Sequence, residues 1–203
     1  MPNESLYSPA LLAALFTFVA VSSITPGPNN IMLMVSGVNF GIRRTVPQMA
    51  GIFSGLFIIV AATGLGLGYL FLHFPLLRVT LMLAGILYTL YLAVRIMLSG
   101  SVGGASLARP LTYGGSLLFQ AVNPKLWAMA ITAAAIYVRP HYLLADTALL
   151  VGAFSLINIP AMLVWAGFGV GLRQALQAPG RIRAFNIVMG LLLAASVLAF
   201  LRN

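Results

Sequence analysis

The chain contains no cysteine, and only two of its 203 residues are acidic, Glu4 and Asp146. The first absence excludes disulfides, thiolate metal ligands and thiol redox chemistry. The second leaves too few carboxylates for a hard-cation site, which takes several oxygen ligands. Charge of either sign is scarce: 6% of residues are charged, against about 25% in soluble domains. Such a chain cannot cover a water-facing surface, which excludes a soluble enzyme or a nucleic-acid-binding domain despite an isoelectric point near 10.9. The formal charge of +9 comes from 11 lysines and arginines that stand singly or in pairs between apolar runs. No nucleic-acid partner follows from that pattern. Neither H-E-x-x-H nor G-x-S-x-G occurs, and no cofactor or metal is expected. The first residues, MPNESLYSP, lack the basic start of a signal peptide, so the N-terminus reads as retained.

What remains is hydrophobic: 61% of the residues, with mean hydropathy +1.04. A membrane helix needs about 20 apolar residues. Residues 5–42 and 45–77 carry no charge, and neither do 147–172 and 184–201. Stretches 76–98 and 112–138 are interrupted only by Arg78, Arg95 or Lys125. The pattern predicts six helical spans in a single all-α transmembrane domain, at about 9–40, 47–72, 76–98, 112–138, 146–171 and 184–201. No acid falls inside any of them. Segment 99–110 (SGSVGGASLARP) reads as a linker.

Lysine and arginine set orientation. Arg43, Arg44, Arg95, Arg109, Arg173, Arg181 and Arg183 follow odd-numbered spans, whereas Arg78, Arg139 and Arg202 follow even-numbered ones. The odd loops are therefore expected in the cytoplasm and both termini outside. His73 and His141 fall near the inferred outer side.

The linker separates two halves of three spans, repeat one at about 9–98 and repeat two at about 112–201. A duplicated unit with an odd number of spans inserts upside down, a common plan for secondary transporters. Landmarks recur in order: Thr25-Pro26 with Asn123-Pro124, the Gly-x-Gly-x-Gly runs 64–68 and 167–171, and Gly85 with Gly190. The glycine runs have no preceding strand and are not nucleotide loops. They are expected to let helix backbones approach closely. Gly37-x-x-x-Gly41 and Gly51-x-x-x-Gly55 either build a homodimer or pack helices within one subunit.

Two spans are expected to break. In Thr25-Pro26-Gly27-Pro28-Asn29-Asn30, two prolines lack donors and clash with the preceding turn. The carbonyls of Ser22 and Ile24 then lose their partners. A new helix is expected beyond the break, capped by Thr25 or Asn29. In Asn123-Pro124-Lys125, asparagine is a good cap and proline suits the first helical position. Each break makes a helix N-terminus inside the membrane, worth roughly +0.5 charge, and Lys125 adds a full charge. Inverted halves would aim both termini at one anion-friendly site near the midplane. With no acid in any span, the counter-ion is the carboxylate of a substrate. Two plainer readings stand beside this one, a lysine that reaches the interface and a proline kink that serves packing. Gln120, Ser54 and Asn158, in a third polar interruption at Asn158-Ile159-Pro160, are further candidate liners. Each also reads as a helix contact.

The runs TPGPNNIMLMVSGVNFGIRRT, AGIFSG, AGILYTLYLAVRI, FQAVNPKLWAM and GRIRAFNIVMGLLLA resemble the LysE/RhtB superfamily of bacterial amino-acid exporters over nearly the whole chain. The resemblance implies a multi-pass plasma-membrane protein that expels amino acids against an inward proton gradient. It further implies that Pro26-Gly27-Pro28-Asn29 and Asn123-Pro124-Lys125 carry the pathway. Many members have Gly-Asp where this chain has Gly55-Leu56. In that respect it is similar to the cysteine/O-acetylserine exporter branch, and cationic substrates are disfavoured. The leading expectation is export of small neutral amino acids or their derivatives. The alternatives are export of a metal cation or inorganic ion, an intramembrane enzyme or redox carrier, and a non-transporting assembly protein.

Overall fold

A computed structural model of the chain describes residues 7–99, 110–176 and 178–198. Arg109, Arg202 and most of the linker lie outside that range. Among the described residues there is no strand. The helices are α1 (Pro9–Ile24), α2 (Pro28–Phe40), α3 (Ile42–Ala62), α4 (Gly68–His73), α5 (Pro75–Met97), α6 (Tyr113–Val122), α7 (Pro124–Tyr137), α8 (Leu143–Leu172) and α9 (Pro179–Leu198).

Four stretches are long and apolar enough to cross a bilayer: Ile42–Phe71, Pro75–Met97, Pro140–Leu172 and Gly180–Val197. The pair α1 and α2, bent by 50° at its break, makes a fifth if it is one span. The stretch expected as the fourth span is divided at Asn123, where its break was expected, into helices of 10 and 14 residues. Neither alone spans a hydrocarbon layer of about 30 Å at 1.5 Å per residue.

Boundaries shift where a charge can lie in a first turn. Helix α3 starts at Ile42, so Arg43 and Arg44 lie inside it. Helix α9 takes in Arg181 and Arg183. Asp146 falls in the first turn of α8, which corrects the expectation that no helix holds an acid. It is buried there, and Arg139 neutralises it with a 2.8 Å ion pair. The Arg139 backbone N–H also donates to the carboxylate. Not every proline ends a helix here: α8 runs unbroken through Pro160, and α3 through Pro47.

The main helix pairings are α2 with α8, α3 with α6 and α5 with α9. Each joins the first half of the chain to the second. Small residues permit this. A Cβ on Gly37 would lie 2.2 Å from the Ala166 carbonyl oxygen, and one on Gly169 would lie 2.2 Å from that of Met34. Gly51 and Gly55 pack on α6, against Tyr113 and Gln120. The small-residue runs are thus used within one subunit. The first glycine triplet does more than allow approach: residues 63–67 form a π-helical turn in which Gly66 takes φ +106°, a conformation that glycine alone adopts readily.

Helix direction follows from the ends. Tyr7, before α1, stacks under Arg139 at 5.2 Å, close to the start of α8. Gly41, after α2, lies against Arg173 at the end of α8. The bent pair and α8 therefore run the same way.

The α2–α8 contact gives a test. Gly169→Ala places a methyl against a backbone carbonyl that cannot move aside, and we expect a loss of about 1–3 kcal/mol. Gly167 has nothing within 4 Å of such a methyl, so Gly167→Ala leaves stability unchanged. Thermal melting of the two variants in detergent distinguishes them.

Candidate functional site: two helix breaks and a lysine between them

The Pro-Gly-Pro run ends α1 at Ile24, and α2 begins at Pro28 with proline in its first turn. The break frees carbonyls that in hydrocarbon would each cost several kcal/mol, and polar side chains take them up. Asn30 Nδ2 donates to the carbonyls of Ser23 (2.7 Å) and Thr25 (3.0 Å). Trp165 Nε1, from α8, donates to that of Ile24 (3.3 Å). The expected caps fail. Gly27 stands at the N-cap of α2 with no side-chain bond. The Thr25 hydroxyl turns back to the Val21 carbonyl, as Ser and Thr do at a helix end. Asn29 points across the molecule.

The second break has the expected anatomy. The Asn123 side-chain oxygen accepts from the backbone N–H of Lys125 (3.2 Å) and of Leu126 (3.4 Å), with Pro124 opening α7. Its Nδ2 donates to Gln120 Oε1 at 3.2 Å. Gln120 and Asn29 exchange a reciprocal pair of amide bonds, at 2.8 and 3.1 Å. The two breaks, 91 residues apart in sequence at this contact, are thereby tied together.

Lys125 closes the arrangement. Its Nζ donates to the Thr25 carbonyl at 2.7 Å. Its stem passes so close to Gly27 that an added Cβ there would lie 2.6 Å from Cδ and 2.9 Å from Nζ. One lysine thus starts at the N-terminal end of α7 and rests against the N-cap of α2. It does not run out along its own helix to bulk solvent.

Around it lies a cavity of about 30 Å³, room for a water or two. Gly27, Pro28, Asn29, Asn30, Asn123, Lys125 and Asn158 line it. Thr25 and Gln120 meet it through their bonds to Lys125, Asn29 and Asn123. Two expected residues do not: Pro26 is exposed, and Pro124 lines a different cavity. Ser54 instead accepts from the Tyr113 hydroxyl at 3.1 Å. Ser22, Ser23, Ile52, Leu56, Leu126, Met129 and Met162 also line the cavity around Lys125, and the sequence did not single them out as liners. For Ser22 and Ser23 the signal was present, a polar pair one turn before the break in an apolar span. Asn158 Oδ1 and Ser23 Oγ are buried without a hydrogen-bond partner. Among the described residues no cluster of three or more His, Cys, Asp or Glu exists.

The site thus brings together one cation, two helix N-termini and unpartnered polar oxygens in a cavity lined by polar and apolar residues alike. The apolar spans describe a membrane protein. Curated relatives agree. The chain is 30% identical over 188 residues to proteins named cysteine/O-acetylserine efflux protein from Escherichia coli K12, Shigella sonnei and Shigella flexneri, covering 92% of this chain and 95% of each relative. No family model and no solved structure matches it. The chain belongs to the LysE/RhtB superfamily of amino-acid exporters, in the branch of the cysteine/O-acetylserine efflux proteins. It is a multi-pass inner-membrane transport protein and not an enzyme.

Asn123→Ala removes two capping bonds and one bond to Gln120. We expect it to cost about 1–2 kcal/mol, whereas Asn123→Asp keeps the cap and loses less. Thermal melting of both variants checks this.

Proposed function

We propose that this chain is a secondary active exporter of small neutral amino acids or their derivatives, driven by an inward proton gradient. The observation that carries the reading is the Lys125 ammonium held on the Thr25 carbonyl between two helix N-termini. The carbonyl offers the ammonium only a dipole, whereas a carboxylate meets it with a full opposite charge. The substrate carboxylate takes the ammonium, the helix N-termini add their partial charge, and the substrate ammonium goes to Asn158 Oδ1 and Ser23 Oγ. In this role Thr25, Gly27, Pro28, Asn29, Asn30, Gln120, Asn123, Lys125 and Asn158 form or brace the binding site. Pro26 and Pro124 act only by making the breaks.

Leu56 lines the same cavity. An acid at this position would supply Lys125 with an internal counter-ion. Leucine leaves the cation for the substrate and offers nothing to a second positive charge, which favours neutral amino acids over cationic ones. The names of the relatives make cysteine and O-acetylserine the first substrates to try.

We further infer six spans in one domain built from two inverted repeats, with α6 and α7 together as the fourth span. Several features support this. Helices α1 and α2 both pack on α8, and α6 and α7 both pack on α3, although α2 leans on α8 far more than α7 does on α3. The bent pair runs parallel to α8, as inversion requires. A cavity of about 70 Å³ lined by Ser36, Phe40, Gln48 and Arg95 lies farther along α2 and α3, at the end that carries Arg43, Arg44 and Arg173. That end faces the cytoplasm in this reading, with both termini outside. The central cavity is too small for an amino acid, so loading requires one half to rock against the other.

The test is efflux of preloaded radiolabelled neutral amino acids from vesicles, with cysteine and O-acetylserine first. We expect Lys125→Ala to slow efflux at least tenfold, about 1.4 kcal/mol, and Leu56→Asp to slow it comparably by occupying the ammonium. Efflux by Lys125→Ala at the wild-type rate refutes the role of Lys125. Efflux that persists after a protonophore collapses the gradient refutes proton coupling alone.

A further inference from the structure

A second cavity, of about 330 Å³, opens between α4 and α5 on one side and α6 and α7 on the other. That volume falls within the range of small-molecule sites, about 300–1,000 Å³. Its wall is apolar, formed by Phe71, Met82, Val122, Pro124 and Trp127, with Phe71 edge-on to Trp127 at 4.8 Å. Arg78 is the one charged residue in the lining. Its guanidinium makes no hydrogen bond or ion pair among the described residues, and the one acid among those residues, Asp146, is held by Arg139.

Arg78 is the fourth residue of α5, so it lies where that span enters the bilayer. Around and beyond it α5 presents Leu76, Leu83 and Leu87 at 79%, 45% and 67% exposure. This is a lipid-facing surface. The groove therefore combines a cation at headgroup depth with an apolar channel running inward from it. A second copy of the chain brings no spare described carboxylate to meet Arg78, and burying the guanidinium unpaired in a protein interface is costly. Basic pockets between membrane helices suit anionic headgroups.

We propose that this groove binds an anionic phospholipid, its phosphate on Arg78 and an acyl chain along Met82, Val122 and Trp127. The lipid chain then rests on Val122 and Pro124, the back of the break that carries Asn123 and Lys125. The proposal is independent of which substrate is exported.

Trp127 in the groove reports on its occupant. The second tryptophan, Trp165, is partly buried in the interior clusters, and Trp127→Phe measures its background. The full chain is reconstituted in phosphatidylcholine bilayers with a small, equal fraction of either phosphatidylglycerol or phosphatidylcholine brominated on an acyl chain. We expect the phosphatidylglycerol probe to quench Trp127 with about fivefold higher apparent affinity, the effect of roughly one basic contact at the surface. Arg78→Lys keeps most of that preference, and Arg78→Gln brings the ratio to one. Arg78 is exposed, so melting of Arg78→Gln should match wild type. Equal quenching by both probes in the wild type overturns the proposal, as does a preference that survives Arg78→Gln. Quenching by neither probe places protein in the groove and overturns it as well.

Discussion

The structure depends on one constraint: inside a bilayer, no backbone carbonyl can be left without a donor. The Pro-Gly-Pro run violates helix geometry in the middle of a span. The chain answers with Asn30, Trp165 and Lys125, each donating to one or more of three consecutive carbonyls. Two of these donors come from the other half of the chain. The break therefore ties the halves together at the centre, and the bond from Lys125 to Thr25 is the one that the proposed function gives to a substrate carboxylate. Asn30 keeps its own bond to the same carbonyl, so Thr25 is not orphaned when the lysine leaves.

This arrangement explains how a chain with almost no charge places a cation in its interior. The lysine stem lies in a gap that exists because residue 27 has no side chain. The ammonium is anchored on a dipole and not on a carboxylate, so no salt bridge has to be broken for it to serve an anion. The one ion pair among the described residues, Arg139 with Asp146, lies away from the cavity near the opposite ends of α7 and α8.

Much of this was legible in the sequence because proline acts locally. The position of both breaks, the cap at Asn123 and the first-turn role of Pro124 follow from residues a few places apart. The glycine landmarks pointed to close packing in part: Gly169, Gly85 and Gly190 each meet a backbone carbonyl closely, whereas Gly167 and Gly171 have nothing within 4 Å. The left-handed turn at Gly66 was not legible, because spacing shows that a residue is small and not which φ it takes. Nor were the partners of Asn29 and Ile24 legible, 91 and 141 residues away. Thr25 was misread as a cap because its hydroxyl has a nearer acceptor behind it. The division of the fourth stretch at Asn123 was legible, because an asparagine cap followed by proline starts a new helix.

The account stands or falls on whether Lys125 reads a carboxylate. The most direct measurement is equilibrium binding of an exported amino acid against its own carboxamide, in the wild type and in Lys125→Met. The prediction is at least tenfold weaker binding of the carboxamide to the wild type, about 1.4 kcal/mol, and no such difference in Lys125→Met. A wild type that binds both forms equally, or a difference that survives the loss of the ammonium, would contradict it.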